Sequence, residues 1–87
     1  MINIQDSEQI GQLIRLIRKE QGIDQASLAS ICGFSERPLK AIEKGEGSLS
    51  ADKLFTIINE LGIKLHIELP ADIEVDVEKL PSPQINN

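Results

Sequence analysis

Hydrogen-bonding side chains are concentrated in one short stretch of this 87-residue chain, between residues 35 and 44. Leu39 and Ile42 predict the buried side of a helix there, which leaves the polar residues on its outward side. The outward residues are Ser35, Glu36, Arg37, Lys40, Ala41 and Lys44. Short and hydrogen-bonding groups of this kind can enter the major groove of DNA and contact base edges. The stretch therefore favours recognition by hydrogen bonding.

Enzyme chemistry has little support in the same sequence. His66 is the single histidine and Cys32 the single cysteine, so the chain can assemble neither a histidine and cysteine zinc site nor an internal disulfide. Cys32 falls in an apolar stripe and is interpreted as a small core residue. The glycine-containing stretch 45–47 is too short for a phosphate-binding loop and carries an acid. We expect no catalytic residues, no metal and no cofactor.

Two short helices around a tight turn must position the outward residues. Asp24 and Ser35 are suited to cap the first and the second of these helices, because their side-chain oxygens can accept from free N–H groups. Gly33 can take the left-handed conformation that ends the first helix. Ala29 supplies a small side chain where the two helices cross. Residues 24–43 therefore predict a helix-turn-helix motif.

A further helix is predicted on each side of this motif. Apolar residues recur at helical spacing before it, at Ile10, Leu13, Ile14 and Ile17, and after it, at Leu54, Ile57, Ile58 and Leu61. The earlier helix runs from about Asp6 to Gln21, and Asp6 with Gln9 resembles a capping box. The later helix follows a glycine-rich loop over residues 43–48, is capped by Ser50 and ends at Gly62.

The apolar period changes from helical to alternating after Gly62. Ile63, Leu65, Ile67 and Leu69 then point one way and Lys64, His66 and Glu68 the other, which predicts a strand over residues 63–69. A lone strand exposes unpaired backbone groups and recruits another strand. The partner is either the same strand of a second copy about a two-fold axis, which we favour, or residues 73–77 folded back across 70–72; both pairings could coexist.

Charge and composition divide the chain further. The formal net charge is −5, and residues 68–87 hold five of the fourteen acidic residues but one of the nine basic ones. Residues 1–67 are therefore nearly neutral, and the overall acidity does not exclude a nucleic-acid partner. Arg15, Arg18 and Lys19 share one face of the first helix, as either ordinary surface charge or phosphate contacts.

Three regions follow: a helix-turn-helix DNA-binding domain (6–62), a dimerisation strand (63–69) and an acidic, flexible tail (70–87). Phe34 and Phe55 are the only aromatic residues, which argues against the stacking platforms of single-strand binders. The sequence has no run of about 20 apolar residues and no signal pattern at its start, so we expect a cytoplasmic protein without a membrane partner.

The motif residues resemble a known family. Gln25-x-x-Leu28-Ala29-x-x-x-Gly33-x-Ser35, then Leu39-x-x-Ile42-Glu43-x-Gly45, then Leu54-x-x-Ile57-x-x-x-Leu61-Gly62 resemble the Xre/Cro class of phage-repressor-like domains over residues 6–62. The helix start at Asp6-Ser7-x-Gln9-Ile10 and the strand directly after the last helix resemble HipB-type antitoxins. Pro38 and the acidic tail depart from the better-known members.

The resemblance implies a role for individual residues. Gln25 would contact phosphate, and Lys44 would contact the DNA backbone. Base edges would be contacted by Ser35, Glu36, Arg37 and Lys40, with Arg37 suited to guanine and Glu36 to cytosine. Glu43 would be held by Arg18 in a pair that positions the helices.

The resemblance also implies a biological setting. HipB-type proteins are homodimers joined partly by the C-terminal strand, here Ile63, Leu65, Ile67 and Leu69. They repress their own operon at palindromic operators and bind a HipA-type Ser/Thr kinase toxin. We therefore expect a mainly α protein of about four helices with a C-terminal β-strand that pairs in a homodimer, and an autorepressor that is also an antitoxin. A stand-alone Xre/Cro-type repressor and a protein-binding adaptor are the alternatives, and the nearly neutral helical domain supports the adaptor.

Overall fold

Four helices carry the fold of the computed structural model, which describes residues 1–46 and 50–81. They are α1 (Ser7–Glu20), α2 (Gln25–Cys32), α3 (Glu36–Lys44) and α4 (Ala51–Glu60), and a short 3-10 helix follows at Val77–Lys79. This arrangement confirms the mainly helical fold and the helix-turn-helix formed by α2 and α3. Part of the predicted glycine-rich loop (47–49) and the end of the acidic tail (82–87) lie outside the described residues.

The core forms where the apolar stripes of the four helices meet. Its fully buried side chains are Ile14, Leu28, Leu39, Ile42 and Ile57, with Ala29 and Leu61 beside them. Each large aliphatic side chain buried in this way contributes about 1.5–3 kcal/mol relative to exposure. Cys32 and Phe34 are half-buried at the edge of this core. The burial of the α3 stripe fixes which side of α3 remains outward.

Gly11 lets α1 and α3 approach each other closely. A Cβ atom at this position would overlap the carbonyl oxygen of Ile42, which belongs to the rigid backbone of α3. Any side chain would therefore push the two helices apart. This role of Gly11 is not visible in the sequence, because a glycine within a helical pattern does not reveal what lies against it. The contact sets the position of α3 relative to the rest of the domain.

Three of the four predicted N-caps are confirmed. The cap side chains of α1, α2 and α4 accept a hydrogen bond from the amide of the third helical residue, in the pairs Asp6 with Gln9, Asp24 with Ser27 and Ser50 with Lys53. The backbone N–H of Ser27 also lowers the pKa of Asp24 from its ordinary value.

The predicted side-chain cap at Ser35 is wrong. Ser35 lies at the N-cap position of α3, but its side chain makes no capping hydrogen bond to that helix. The third residue of α3 is Pro38, which has no N–H to donate. Pro38 itself is tolerated there, because the first N–H groups of a helix have no intrahelical partner. The hydroxyl of Ser35 is consequently left on the surface.

A buried ion pair connects α1 to α3. Arg18 donates from Nε to Oε2 of Glu43 at 2.6 Å and from Nη2 to Oε1 at 2.9 Å. Gln25, the first residue of α2, donates from its side-chain amide to the same Oε1 at 3.0 Å. Arg18 also donates from Nη1 to the carbonyl oxygen of Ile23 at 2.8 Å. One carboxylate thus links three helices.

Arg18 is only 6% exposed, so its predicted place on an outward face with Arg15 and Lys19 is wrong. The hydrogen bond to Glu43 raises the pKa of Arg18 above its ordinary value, whereas burial acts in the opposite direction. The guanidinium is therefore charged at neutral pH. A buried charge of this kind is tolerated only while its partner is present.

The segment after α4 contains no strand within the described part of the single chain. Residues 63–70 have no ladder hydrogen bonds, and the hairpin with residues 73–77 is not formed. The chain instead makes a turn in which the amide of Ile73 donates to the carbonyl of Pro70 at 3.3 Å. The C-terminal strand and its pairing in a homodimer stay predictions, because a strand in a two-copy sheet needs the second copy.

We expect Ser35→Ala and Ser50→Ala to differ in their effect on the free energy of unfolding. Ser50→Ala should destabilise the protein by about 1 kcal/mol, because it removes a capping hydrogen bond. Ser35→Ala should change stability by less than about 0.5 kcal/mol. Urea denaturation at one fixed protein concentration measures both. In a Pro38→Ala background, Ser35→Ala should become as costly as Ser50→Ala; equal costs already in the native background would contradict the role assigned to Pro38.

Glu43→Gln should destabilise the fold strongly although it preserves the shape of the side chain. It leaves the charge of Arg18 buried without its counter-charge, for which about 3 kcal/mol is expected. The matched control is Glu36→Gln on the same helix, which removes an exposed ion pair and should cost at most about 0.5 kcal/mol. Similar midpoints in urea for the two variants would show that the buried pair does not hold α3.

Candidate nucleic-acid interface

One exposed edge runs along the outward side of α3. Arg37, Lys40 and Lys44 are all exposed and follow one another at intervals of three and four residues. The opposite side of the helix carries the buried Leu39 and Ile42. This spacing places the three cations on one helix face. The edge is therefore predominantly basic, although the whole chain is acidic.

The beginning of α3 completes this edge with two polar groups. Ser35 is exposed, and its hydroxyl is not used by the helix cap. Glu36 lies one turn before Lys40, and its Oε2 is 3.6 Å from the Lys40 Nζ. Both side chains of this pair are about half exposed, so the pair contributes little to stability. Lys40 can therefore exchange Glu36 for another acceptor at small cost.

A shallow cleft of about 460 Å³ lies beside this edge, where α1 meets the beginnings of α2 and α3. Its lining residues are Arg15, Arg18 and Lys19 of α1, Asp24, Gln25 and Ala26 at the start of α2, and Glu36 of α3. Arg15 and Lys19 are exposed. Backbone N–H groups at a helix N-terminus and nearby cations attract anions. The negative Asp24 opposes that attraction at the same place.

Gln25 has a more complex environment than the sequence indicated. Its side chain is half-buried and donates one amide proton to Glu43, so it is part of the network that joins the helices. An amide group has a second proton and an acceptor oxygen beyond this bond. Contact between Gln25 and a phosphate stays a prediction. No sequence signal identified the bond to Glu43, because the two residues are far apart along the chain.

The structure therefore sorts the predicted site residues into three groups. Arg18, Glu43 and Gln25 come together in the buried network. The exposed edge holds Ser35, Glu36, Arg37, Lys40 and Lys44. The residues assigned to dimerisation, Ile63, Leu65, Ile67 and Leu69, lie on the segment that follows α4. The donors and acceptors along α3 are of the kinds that can bind base edges and phosphates.

Within residues 1–46 and 50–81, none of the helices is long and apolar enough to cross a membrane. In the same ranges no three side chains of the histidine, cysteine, aspartate and glutamate types are grouped so that they could hold a metal ion.

Known proteins share this fold. The family model HTH_3, described as helix-turn-helix, matches residues 14–67. An uncharacterized HTH-type transcriptional regulator, y4mF of Sinorhizobium fredii, is 32% identical over 63 residues, which are 72% of this chain and 83% of that protein.

Solved structures of HipB complexes are similar in fold. The structure of a HipA-HipB-O2-O3 complex matches with a TM-score of 0.72 and 19% identity over 77% of this chain and 94% of that one. A HipB-O4 20mer complex matches with a TM-score of 0.72 and 19% identity over 83% of this chain and 100% of that one. With the family match over more than half of its length and the 32% identical relative, this chain belongs to the helix-turn-helix family, in its Xre-type class.

Proposed function

We propose that this protein is a dimeric repressor of transcription that reads a palindromic operator with α3. The observation that carries the proposal is the exposed edge of α3, which is basic, rich in hydrogen-bonding groups and fixed to α1 and α2 by the buried network. A rigid helix that presents such groups fits the major groove of DNA. Membership of the helix-turn-helix family supports the same conclusion.

The proposed contacts to base edges come from the first two turns of α3. Arg37 carries the fork of donors that suits guanine O6 and N7, and Glu36 can accept from the N4 amino group of cytosine. Ser35 can bond to either kind of base, because its hydroxyl both donates and accepts and is not needed as a cap. Lys40 contacts a base edge once its exposed ion pair with Glu36 is broken.

The proposed contacts to phosphate flank these base contacts. Lys44 lies at the end of α3, whereas Gln25, Arg15 and Lys19 line the cleft beside its beginning. Contacts of this type orient a protein on DNA and do not read sequence. Because residues 1–67 are nearly neutral in total, the protein has little general attraction to DNA, and specific binding depends on two copies that engage both half-sites.

We further propose that the same protein is the antitoxin of a HipA-like kinase in the cytoplasm and has no catalytic activity of its own. The support is the motif resemblance together with the fold shared with HipB, which is bound to HipA in one of the similar structures. Ile73, Val75 and Val77 are exposed and alternate with acidic residues. This pattern suits addition to the sheet edge or basic rim of a partner.

Two other functions remain as alternatives. A stand-alone repressor would have the same DNA contacts and no kinase partner. An adaptor would use the helical domain to bind protein, and the near neutrality of residues 1–67 is the observation that favours it. The salt dependence of duplex binding separates an adaptor from both repressors, since phosphate contacts release counterions.

Arg37→Ala and Lys40→Ala should each weaken operator binding while the fold remains intact. Loss of a good base contact costs about 1–3 kcal/mol, which corresponds to roughly fivefold to 150-fold in affinity. Gel shifts with the protein's own upstream region measure the change, and circular dichroism checks the fold. Lys79→Ala removes the same charge from the exposed 3-10 helix and should leave the affinity unchanged. Unchanged binding by both α3 variants would reject α3 as the reading helix.

Deletion of residues 71–87 should preserve operator binding and reduce neutralisation of the kinase. The expected reason is that the exposed, alternating tail docks on the kinase whereas α3 contacts DNA. Glu74→Gln with Asp76→Asn and Glu78→Gln keeps the length and tests the acidic charge alone. Full neutralisation by the truncated protein would assign kinase binding to the helical body. Recovery of no associated kinase from the source cell by pull-down would reject the antitoxin function.

A further inference from the structure

The residues directly after α4 can form a strand only between Gly62 and Pro70. Gly62 begins this segment with a φ of +77°, a left-handed conformation that interrupts an extended strand. Pro70 ends it, because proline has no N–H for a strand ladder. Between them, Leu65, Ile67 and Leu69 are 51%, 82% and 46% exposed. Residues 63–69 lie between these limits and expose an apolar face that no other described residue of the single chain covers, although the amide of Ile63 already donates to the carbonyl of Ile58 at 3.0 Å.

The protein's own tail does not suit this face. The turn closed by Ile73 and Pro70 leaves two residues, Ala71 and Asp72, at its tip. A hairpin extended from that turn pairs Leu69 with Glu74 and Ile67 with Asp76. Directly opposite residues of a hairpin lie on the same face of the sheet, so carboxylates would lie among the apolar side chains. This mismatch disfavours a hairpin extended from the turn.

We propose that residues 63–69 pair antiparallel with the same residues of a second copy, with His66 opposite His66 at the two-fold axis. His66 is the midpoint of the segment, so this register alone places all seven residues opposite one another. Because the amide of Ile63 already donates to Ile58, Ile63 and Leu69 would meet as a non-hydrogen-bonded pair and His66 would meet its copy as a hydrogen-bonded pair. It places Lys64 opposite Glu68 twice on one face of the sheet. On the other face it places Ile63 opposite Leu69 and Leu65 opposite Ile67. Apolar side chains are therefore opposite apolar side chains on one face, and on the other face each lysine is opposite a glutamate.

Competing registers lose these features. A shift by one residue places apolar side chains opposite polar ones. A shift that puts Leu65 on the axis leaves only residues 63–67 paired and places Lys64 opposite His66. A shift that puts Ile67 on the axis brings Pro70 into the ladder opposite Lys64. Neither of the last two registers forms the pair between Lys64 and Glu68.

A groove of about 360 Å³ between α4 and this segment is where the second copy would pack. Phe55, Ile58 and Asn59 line it on the side of α4, and Ile63 and Leu65 line it on the other. In the proposed register, the residues opposite Ile63 and Leu65 are Leu69 and Ile67 of the second copy. These apolar side chains would arrive beside the groove and cover Phe55, which is half exposed in the single chain.

Single cysteines test the register in the full-length chain after Cys32→Ala removes the native thiol. His66→Cys should give a disulfide-linked dimer on mild oxidation, because residues opposite at the axis are within disulfide reach. Leu65→Cys and Ile67→Cys are the matched controls. Each would lie two residues from its own copy, roughly 8 Å away, and should remain largely uncrosslinked. Strongest crosslinking at residue 65 or 67 would overturn the register while leaving the dimer intact.

A charge exchange provides an independent test, read by the dissociation constant of the dimer in sedimentation. Lys64→Glu and Glu68→Lys should each weaken the dimer by roughly tenfold, because each places like charges opposite one another twice. The double variant should return to near the native value. A double variant as weak as the single ones would overturn the proposed pairs. The register rests on the homodimer proposed above, and a native protein that sediments as a monomer would reject that homodimer as well.

Discussion

The orientation of α3 depends on the buried hydrogen bonds between the guanidinium of Arg18 and the carboxylate of Glu43. Removing two charges from water is costly, and the pair offsets this cost only because each of its buried nitrogen and oxygen atoms has a hydrogen-bond partner. Gln25 and the carbonyl of Ile23 supply the remaining partners. The pair contributes specificity of arrangement more than net stability: α1, α2 and α3 must all be in place for the carboxylate to be satisfied.

Two local features complete the presentation of the α3 edge. Gly11 permits the close approach of α1, so that the buried pair can form without a gap between the helices. Pro38 removes the amide that Ser35 would otherwise cap, which leaves a hydroxyl exposed at the start of the proposed reading edge. Both features lower the stability of their own helix, while Gly11 lets α1 and α3 pack closely and Pro38 leaves the Ser35 hydroxyl free. A glycine within a helix and an unsupported cap are each unfavourable in isolation.

The helical domain leaves the apolar segment 63–69 unsatisfied, and this links stability to assembly. A chain of this size buries a small core, and three exposed aliphatic residues, Leu65, Ile67 and Leu69, lie on the segment that follows α4. Pairing between two copies would cover that face and also set the distance between two α3 edges. The same contact would therefore stabilise the protein and match it to two half-sites of DNA.

The sequence by itself determined the four helices, three of their caps and the polar edge of α3, because these depend on periodicity and on interactions within a few residues. It also contained the reason that Ser35 does not cap, since Pro38 lies at the donor position. Tertiary structure alone decided that Arg18 is buried whereas Arg15 and Lys19 are exposed, and that Gln25 turns toward Glu43. Those outcomes depend on contacts between residues distant in the chain, which spacing along one helix cannot specify. The predicted strand at 63–69 meets the same limit: its alternation is local, but the described residues of the single chain supply no backbone partner that would make it a strand.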